Sequence, residues 1–347
     1  MNSLSTGSRM SLRTPQDVLA ATPYLLGFHP EDSVVLFGCK GTRLVFHLRG
    51  DLPPPAQAAG MAVSFAELLH ARKITDVLAI GYGPDSTVSP MVTALELEMK
   101  RRGIAVRELL RADGGRFWSY LCGSPLCCPP DGTPYEIATT ALAASATVAG
   151  RVVLPNREAV VRTLDPPVGL ALAAMRVATD RAGVRLCGLL ERGDARTLLD
   201  EAGEIAIRDG LAGCGDGGPG RIDDEDVAWL SLLLQTLSVR DQAWERIDLD
   251  GRRHWPTHER LWCEVLTRCE PSLAAPAGVL LAYTLWRSGD GVRATVAVER
   301  SLRADPAYSA AHLMAKVLQN AIPPSALAKV RRRRNRPRSP AARRRRR

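Results

Sequence analysis

The chain has 347 residues, 46% of them hydrophobic, enough to bury the core of one large domain or two ordinary ones. Its eight cysteines are too sparse for a disulfide scaffold and fit a reducing compartment; no apolar run approaches the ~18 residues of a membrane span, and the polar opening MNSLSTGSRMSLRTPQ lacks a signal-peptide core, so the expected setting is the cytoplasm, without a membrane. The net charge of +9 belongs to the C-terminus: Lys329 and eleven arginines follow residue 328 with no acid among them, and subtracting those twelve from +9 leaves −3 for the rest.

Residues 1–16 are polar and read as disordered. From 17 to about 135, short apolar runs alternate with Gly and Pro. Ser33-Val-Val-Leu-Phe-Gly38 is a continuous apolar run, as in a strand covered on both faces. After the turn at Cys39-Lys-Gly41, the stretch from Thr42 to Arg49 alternates, with Leu44, Phe46 and Leu48 on one side and Arg43 and His47 on the other; this predicts a hairpin. Pro53-Pro54-Pro55 opens a helix that runs to about Arg72. Val77 to Ile80 reads as a third strand. A second helix is expected over roughly 88 to 102, with Pro90 in its first turn and Gly103 past its end, and Ile104 to Leu110 as a fourth strand. This order predicts an α/β domain with a mixed, partly parallel sheet, flanking helices and right-handed crossovers.

Residues 136–324 read as an all-α domain. Asn156 is an N-cap candidate, and Asp223 to Asp226 place negative charge where a helix dipole favours it. The stretch from Cys214 to Gly220 is a loop. Leu280 to Trp286, ending at Gly289, and Val292 to Arg303, ending before Asp305-Pro306, form a hairpin with small residues at Ala282, Ala294 and Ser301, similar to a single tetratricopeptide unit. The tryptophans from 229 to 286 are assigned to the core. Pro256 is expected to break any helical register between His254 and His258. Residues 325–347 form an arginine-rich tail, self-repelling and disordered, whose stretch from Arg331 to Arg347 suits nonspecific binding of nucleic acid or another polyanion.

The most distinctive stretch is RFWSYLCGSPLCCPPDGTPY, residues 116–135. Cys122, Cys127 and Cys128 have spacing compatible with zinc, and the surrounding Gly and Pro allow tight turns. A fourth ligand is lacking in sequence; Cys39 and His47 qualify only if the fold brings them near. The competing readings are a reactive thiol, which requires exposure and a depressed pKa, and cysteine acting as a small buried hydrophobe. A second constellation, Leu25-Leu-Gly-Phe-His-Pro-Glu-Asp-Ser33, offers His29 as a general base oriented by Glu31 or Asp32, against the simpler reading that Asp32 and Ser33 bond turn backbone. Gly81-Tyr-Gly-Pro-Asp-Ser-Thr87 lies between a strand and a helix as in phosphate loops, but the rest of a dinucleotide or P-loop fingerprint is missing and ordinary turn chemistry explains it as well.

PYLLGFHPEDSVV (23–35), RGDLP (49–53), RFWSYLC (116–122) with CCP (127–129) and GTP (132–134), WRSGDG (286–291) and ADP (304–306) together resemble an actinobacterial family described as a domain of unknown function, from about Thr14 to Pro324. The resemblance implies a cytoplasmic actinobacterial protein and carries no catalytic residues. The candidate ligand-binding residues are His29, Asp32, Ser33, Arg49, Asp51, Arg116, Trp118 and Tyr120. Three functions are expected: a binding or regulatory module using a cleft between the two domains, with a protein partner or small ligand; a hydrolase or transferase with a site from the 29–33 and 116–135 loops; or polyanion binding by the tail.

Overall fold

The computed structural model describes residues 14–137 and 152–327; residues 1–13, the segment 138–151 and the tail from 328 onward lie outside it. The chain divides into two compact units, Met1–Thr163 and Leu164–Arg347.

The first unit is built on a six-stranded sheet of order β2-β1-β3-β4-β5-β6. The strands are β1 (Ser33–Lys40), β2 (Arg43–Asp51), β3 (Asp76–Tyr82), β4 (Ala105–Asp113), β5 (Arg116–Ser119) and β6 (Thr133–Pro134). β3 and β4 pair in parallel, and the other neighbours are antiparallel. The mixed sheet with flanking helices is the expected fold class. All of β1 but its last residue is buried, as its unbroken apolar run predicted. Helices α2 (Ala58–Ala71) and α3 (Asp85–Arg101) cover one face, where Val34, Leu36, Val77, Ala79 and Leu109 meet Ala62, Ala66 and Leu69 of α2 and Met91, Leu95 and Met99 of α3. The alanines of α2 recur every four residues and so line one stripe. Gly81 lets the start of α3 approach β3: a Cβ there would lie 2.3 Å from Val88.

One helix was not expected, and one starts earlier than expected. α1 (Pro15–Leu26) begins inside the stretch expected to be disordered, closed by a capping box between Thr14 and Asp17. α3 begins at Asp85, a turn early, so that Pro90 lies within it. After the undescribed segment, Leu154 returns to the sheet unit: its N–H donates to the Gly27 carbonyl (2.9 Å), and its carbonyl accepts from the His29 N–H (3.1 Å). The short α4 (Arg157–Arg162), capped by Asn156, closes this unit.

The second unit is helical: α5 (Gly169–Leu190), α6 (Ala195–Cys214), α7 (Asp224–Leu233), α8 (Leu237–Asp250), α9 (Trp255–Arg268), α10 (Ala274–Ser288), α11 (Gly291–Ala304) and α12 (Ser309–Gln319). Asp223 caps α7, with Asp224, Glu225 and Asp226 in the first turn where negative charge was expected. α10 is buried at every position from Ala274 to Trp286, the fate of a helix that is apolar all round. Trp229, Trp262 and Trp286 are buried. Pro256 does not interrupt a helix but opens α9, its missing N–H falling among the free donors of the first turn. His258 is thereby turned inward, with Nε2 3.0 Å from Asp250 Oδ2. No helix among the described residues is long and apolar enough to cross a membrane.

Candidate functional site

Strand direction gathers most of the sequence candidates at one edge of the sheet. The start of β1, the end of β2, the ends of β3 and β4 and the start of β5 share it: Ser33 stands opposite both Asp51 and Tyr82, and Asp113 opposite Arg116. Arg49 reaches Asp51 at 2.6 Å and the Glu31 carbonyl at 3.4 Å, with its guanidinium 5.8 Å from the Phe28 ring centre. Asp32 has φ +40°, a left-handed conformation that Asp tolerates better than most residues, and its carbonyl accepts from Leu52 (2.9 Å). His29 is exposed, and no hydrogen bond among the described residues joins its ring to Glu31 or Asp32. Ser33 Oγ is buried without a hydrogen-bond partner among the described residues. This corner is therefore a pinned turn, and it lacks the base-and-orienter contact that proton transfer would use.

On the α3 side of the same edge lies a network built around Arg111, Asp85 and Ser89, none of them among the candidate ligand-binding residues. The Arg111 guanidinium stacks 3.6 Å from the Trp118 ring centre and lies 3.5 Å from Asp85 and 3.6 Å from Asp113. Ser89 Oγ donates to Asp85 Oδ1 at 2.8 Å, and the Tyr120 hydroxyl sits 2.8 Å from Ser89 Oγ. Burial pushes the Tyr120 phenol up. The available signal was charge in an apolar strand: Glu108 and Arg111 within β4 must each find a partner.

This network anchors the loop that leaves β5. Trp118 Nε1 donates to the Pro130 carbonyl and Arg116 Nε to the Asp131 carbonyl, both at 2.9 Å. Gly132, at φ +78°, allows the close return, since a Cβ there would lie 2.5 Å from the Trp118 indole. Arg116 and Trp118 thus act as clamps on residues 120–132. Inside the loop, the N–H groups of Cys127 and Cys128 both donate to the Ser124 carbonyl (3.1 and 2.8 Å), folding the chain back toward Cys122.

The result is three sulfurs, of Cys122, Cys127 and Cys128, all within 4.8 Å of one another. Thiolates sharing a tetrahedral zinc sit about 3.8 Å apart, given Zn–S bonds of ~2.3 Å, so small rotations close the difference. The Cys128 thiol donates to Cys122, which holds Cys122 below the ordinary thiol range and pushes Cys128 up to about 12. Cys127 is exposed and the other two partly so. Leu126 at the loop tip is wholly exposed, and Leu121 is 43% exposed. Glu108 opposes ionisation of Cys122, while its Oε1 accepts from Ser119 Oγ (2.8 Å) and the Leu109 N–H (3.2 Å). Cys39 and His47 do not join the group. They sit on β1 and β2, with β3 and β4 lying between them and β5.

Residues 15–325 match the family model described as Domain of unknown function (DUF4192), and the chain belongs to that family. No curated protein and no solved structure matches it.

Proposed function

We propose that this member of the DUF4192 family is a binding protein whose sheet unit holds a thiophilic metal ion, zinc in the first instance, on Cys122, Cys127 and Cys128. The observation that carries this reading is the convergence of three sulfurs within 4.8 Å in a loop fixed by its own turns and by the Arg116 and Trp118 clamps. Burial argues the same way. Cysteines used as small hydrophobes are sequestered, and Cys39, Cys214 and Cys269 are, with thiols pushed up by burial. The loop cysteines reach solvent, as ligand-exchanging or reactive thiols must. Neighbouring reduced thiols also call for a reducing setting, in our reading the cytoplasm of an actinobacterium, as the motifs suggest. Soft sulfur donors select zinc, copper(I) or iron over magnesium or calcium.

Elemental analysis of the full chain, purified without an affinity tag, tests the assignment. The expected result is stoichiometric metal, lost in Cys127→Ser. Metal-free protein, or the same metal content in both chains, rejects it.

A further inference from the structure

We infer that the metal site of the 120–132 loop is completed by a thiolate from outside the chain. The inference rests on the three-thiolate reading above and adds what occupies the remaining position.

Structural zinc sites are closed by four protein ligands, whereas sites with three keep a position for an exchangeable one. Among the described residues of the sheet unit, no His, Cys, Asp or Glu side chain joins the three cysteines. The segments outside the described residues, 1–13, 138–151 and 328–347, contain none of these four residue types. Glu108, on β4, lies outside that group, and its Oε1 accepts from Ser119 Oγ and the Leu109 N–H. The sheet unit and these segments therefore supply three donors.

The surroundings select the fourth. A cation already held by three sulfurs is soft or borderline, and sulfur suits it better than oxygen. Cys127 is exposed, so a ligand can approach from solvent. Leu126 and Leu121 present exposed apolar surface in the same loop, where the carbon frame of an organic thiol can pack and a bound water gains nothing. Binding breaks the S–H bond of the incoming thiol, forms a metal–sulfur bond and releases one proton to solvent; no electron is transferred. The thiolate can come from a small-molecule thiol or from a cysteine of another chain, and the two sources are separable by experiment.

The probe is the full chain loaded with cobalt(II), whose sulfur-to-metal charge-transfer absorption reports the thiolates bound. Titration with 2-mercaptoethanol at fixed protein concentration, with metal content checked at each step, is expected to raise that absorption by about one third, from three thiolates to four. Leu126→Ser should keep the metal and weaken the thiol by about fivefold, as expected for losing ~1 kcal/mol of apolar contact. If a second chain supplies the cysteine, the absorption instead rises with protein concentration without added thiol, and the mass doubles; this also supports the inference. One cobalt per chain with absorption indifferent to both thiol and protein concentration, the result if the chain itself closes the site, overturns it and leaves the metal reading intact. Failure to bind cobalt or zinc removes both.

Discussion

Asp76, at the start of β3, shows how a single side chain ties the sheet together. It is nearly buried, and its carboxylate accepts from Thr75 Oγ1 and from Arg107 Nε, each at 2.5 Å. These hydrogen bonds, with that of Thr75 the larger influence, hold its carboxyl below the usual range. The native state therefore binds this proton less readily than the unfolded chain, in which Asp titrates near ~3.9. The resulting stability is fully present above that value and is lost as pH falls toward the depressed native one. Denaturant unfolding between neutral pH and pH 3 should show a shallower acid slope in Asp76→Asn than in the native chain. Equal slopes would mean that the pairing contributes nothing to folding. Nothing in the sequence marked Asp76, because its partner Arg107 lies across a strand pairing and 31 residues away. The cysteines were legible for the opposite reason: their spacing is local, and only the inward turn at Ser124 had to be supplied by the fold.

Elements were legible where one periodicity dominated and lost where a proline contradicted it. The β1–β2 hairpin, the strands β3 and β4, the N-cap at Asn156 and the acidic start of α7 follow from apolar patterning, capping chemistry and the helix dipole. α1 was missed because Pro23 lies inside it, although Thr14 and Asp17 carry a cap signature and Pro15 is an acceptable first residue. α3 was started late for the same reason at Pro90. The hairpin of α10 and α11 shows what small residues do once packed. A Cβ on Gly278 would lie 2.9 Å from Ser301 Cβ and 3.1 Å from the Ala297 carbonyl, and Ser301 Oγ donates to the Ala275 carbonyl at 2.7 Å. Gly278→Ala should then cost about 1–3 kcal/mol through overpacking, despite a gain in helix propensity of up to ~1 kcal/mol. Adding Ser301→Gly removes the Cβ in the way, so the double variant should lose less than the sum of the two single changes in denaturant unfolding. Simple additivity would show that the helices separate without strain.

At the scale of the whole molecule, the chain forms two compact units, and the proposed metal site concerns one of them. The three cysteines proposed as ligands belong to the first unit, in a loop pinned to β5 and, through Tyr120, to α3. A ligand bound only by the folded state stabilises by RT ln(1 + [L]/Kd), about 2.7 kcal/mol at one hundred times Kd. That free energy enters where the ligands are, unless the units unfold as one cooperative body. Hydrogen exchange on the full chain, with and without zinc, separates the two cases. Slowed exchange is expected across β4, β5 and residues 120–132, with α10 and α11 unchanged and the whole effect absent in Cys127→Ser. Equal slowing in α10 and α11 would instead show that stability gained at the loop is shared by the helical unit. That coupling was beyond the reach of sequence reading: composition marks where apolar strands give way to helices, but cooperativity depends on contacts that composition does not encode. A gain confined to the sheet unit would leave the helical unit's stability independent of metal supply.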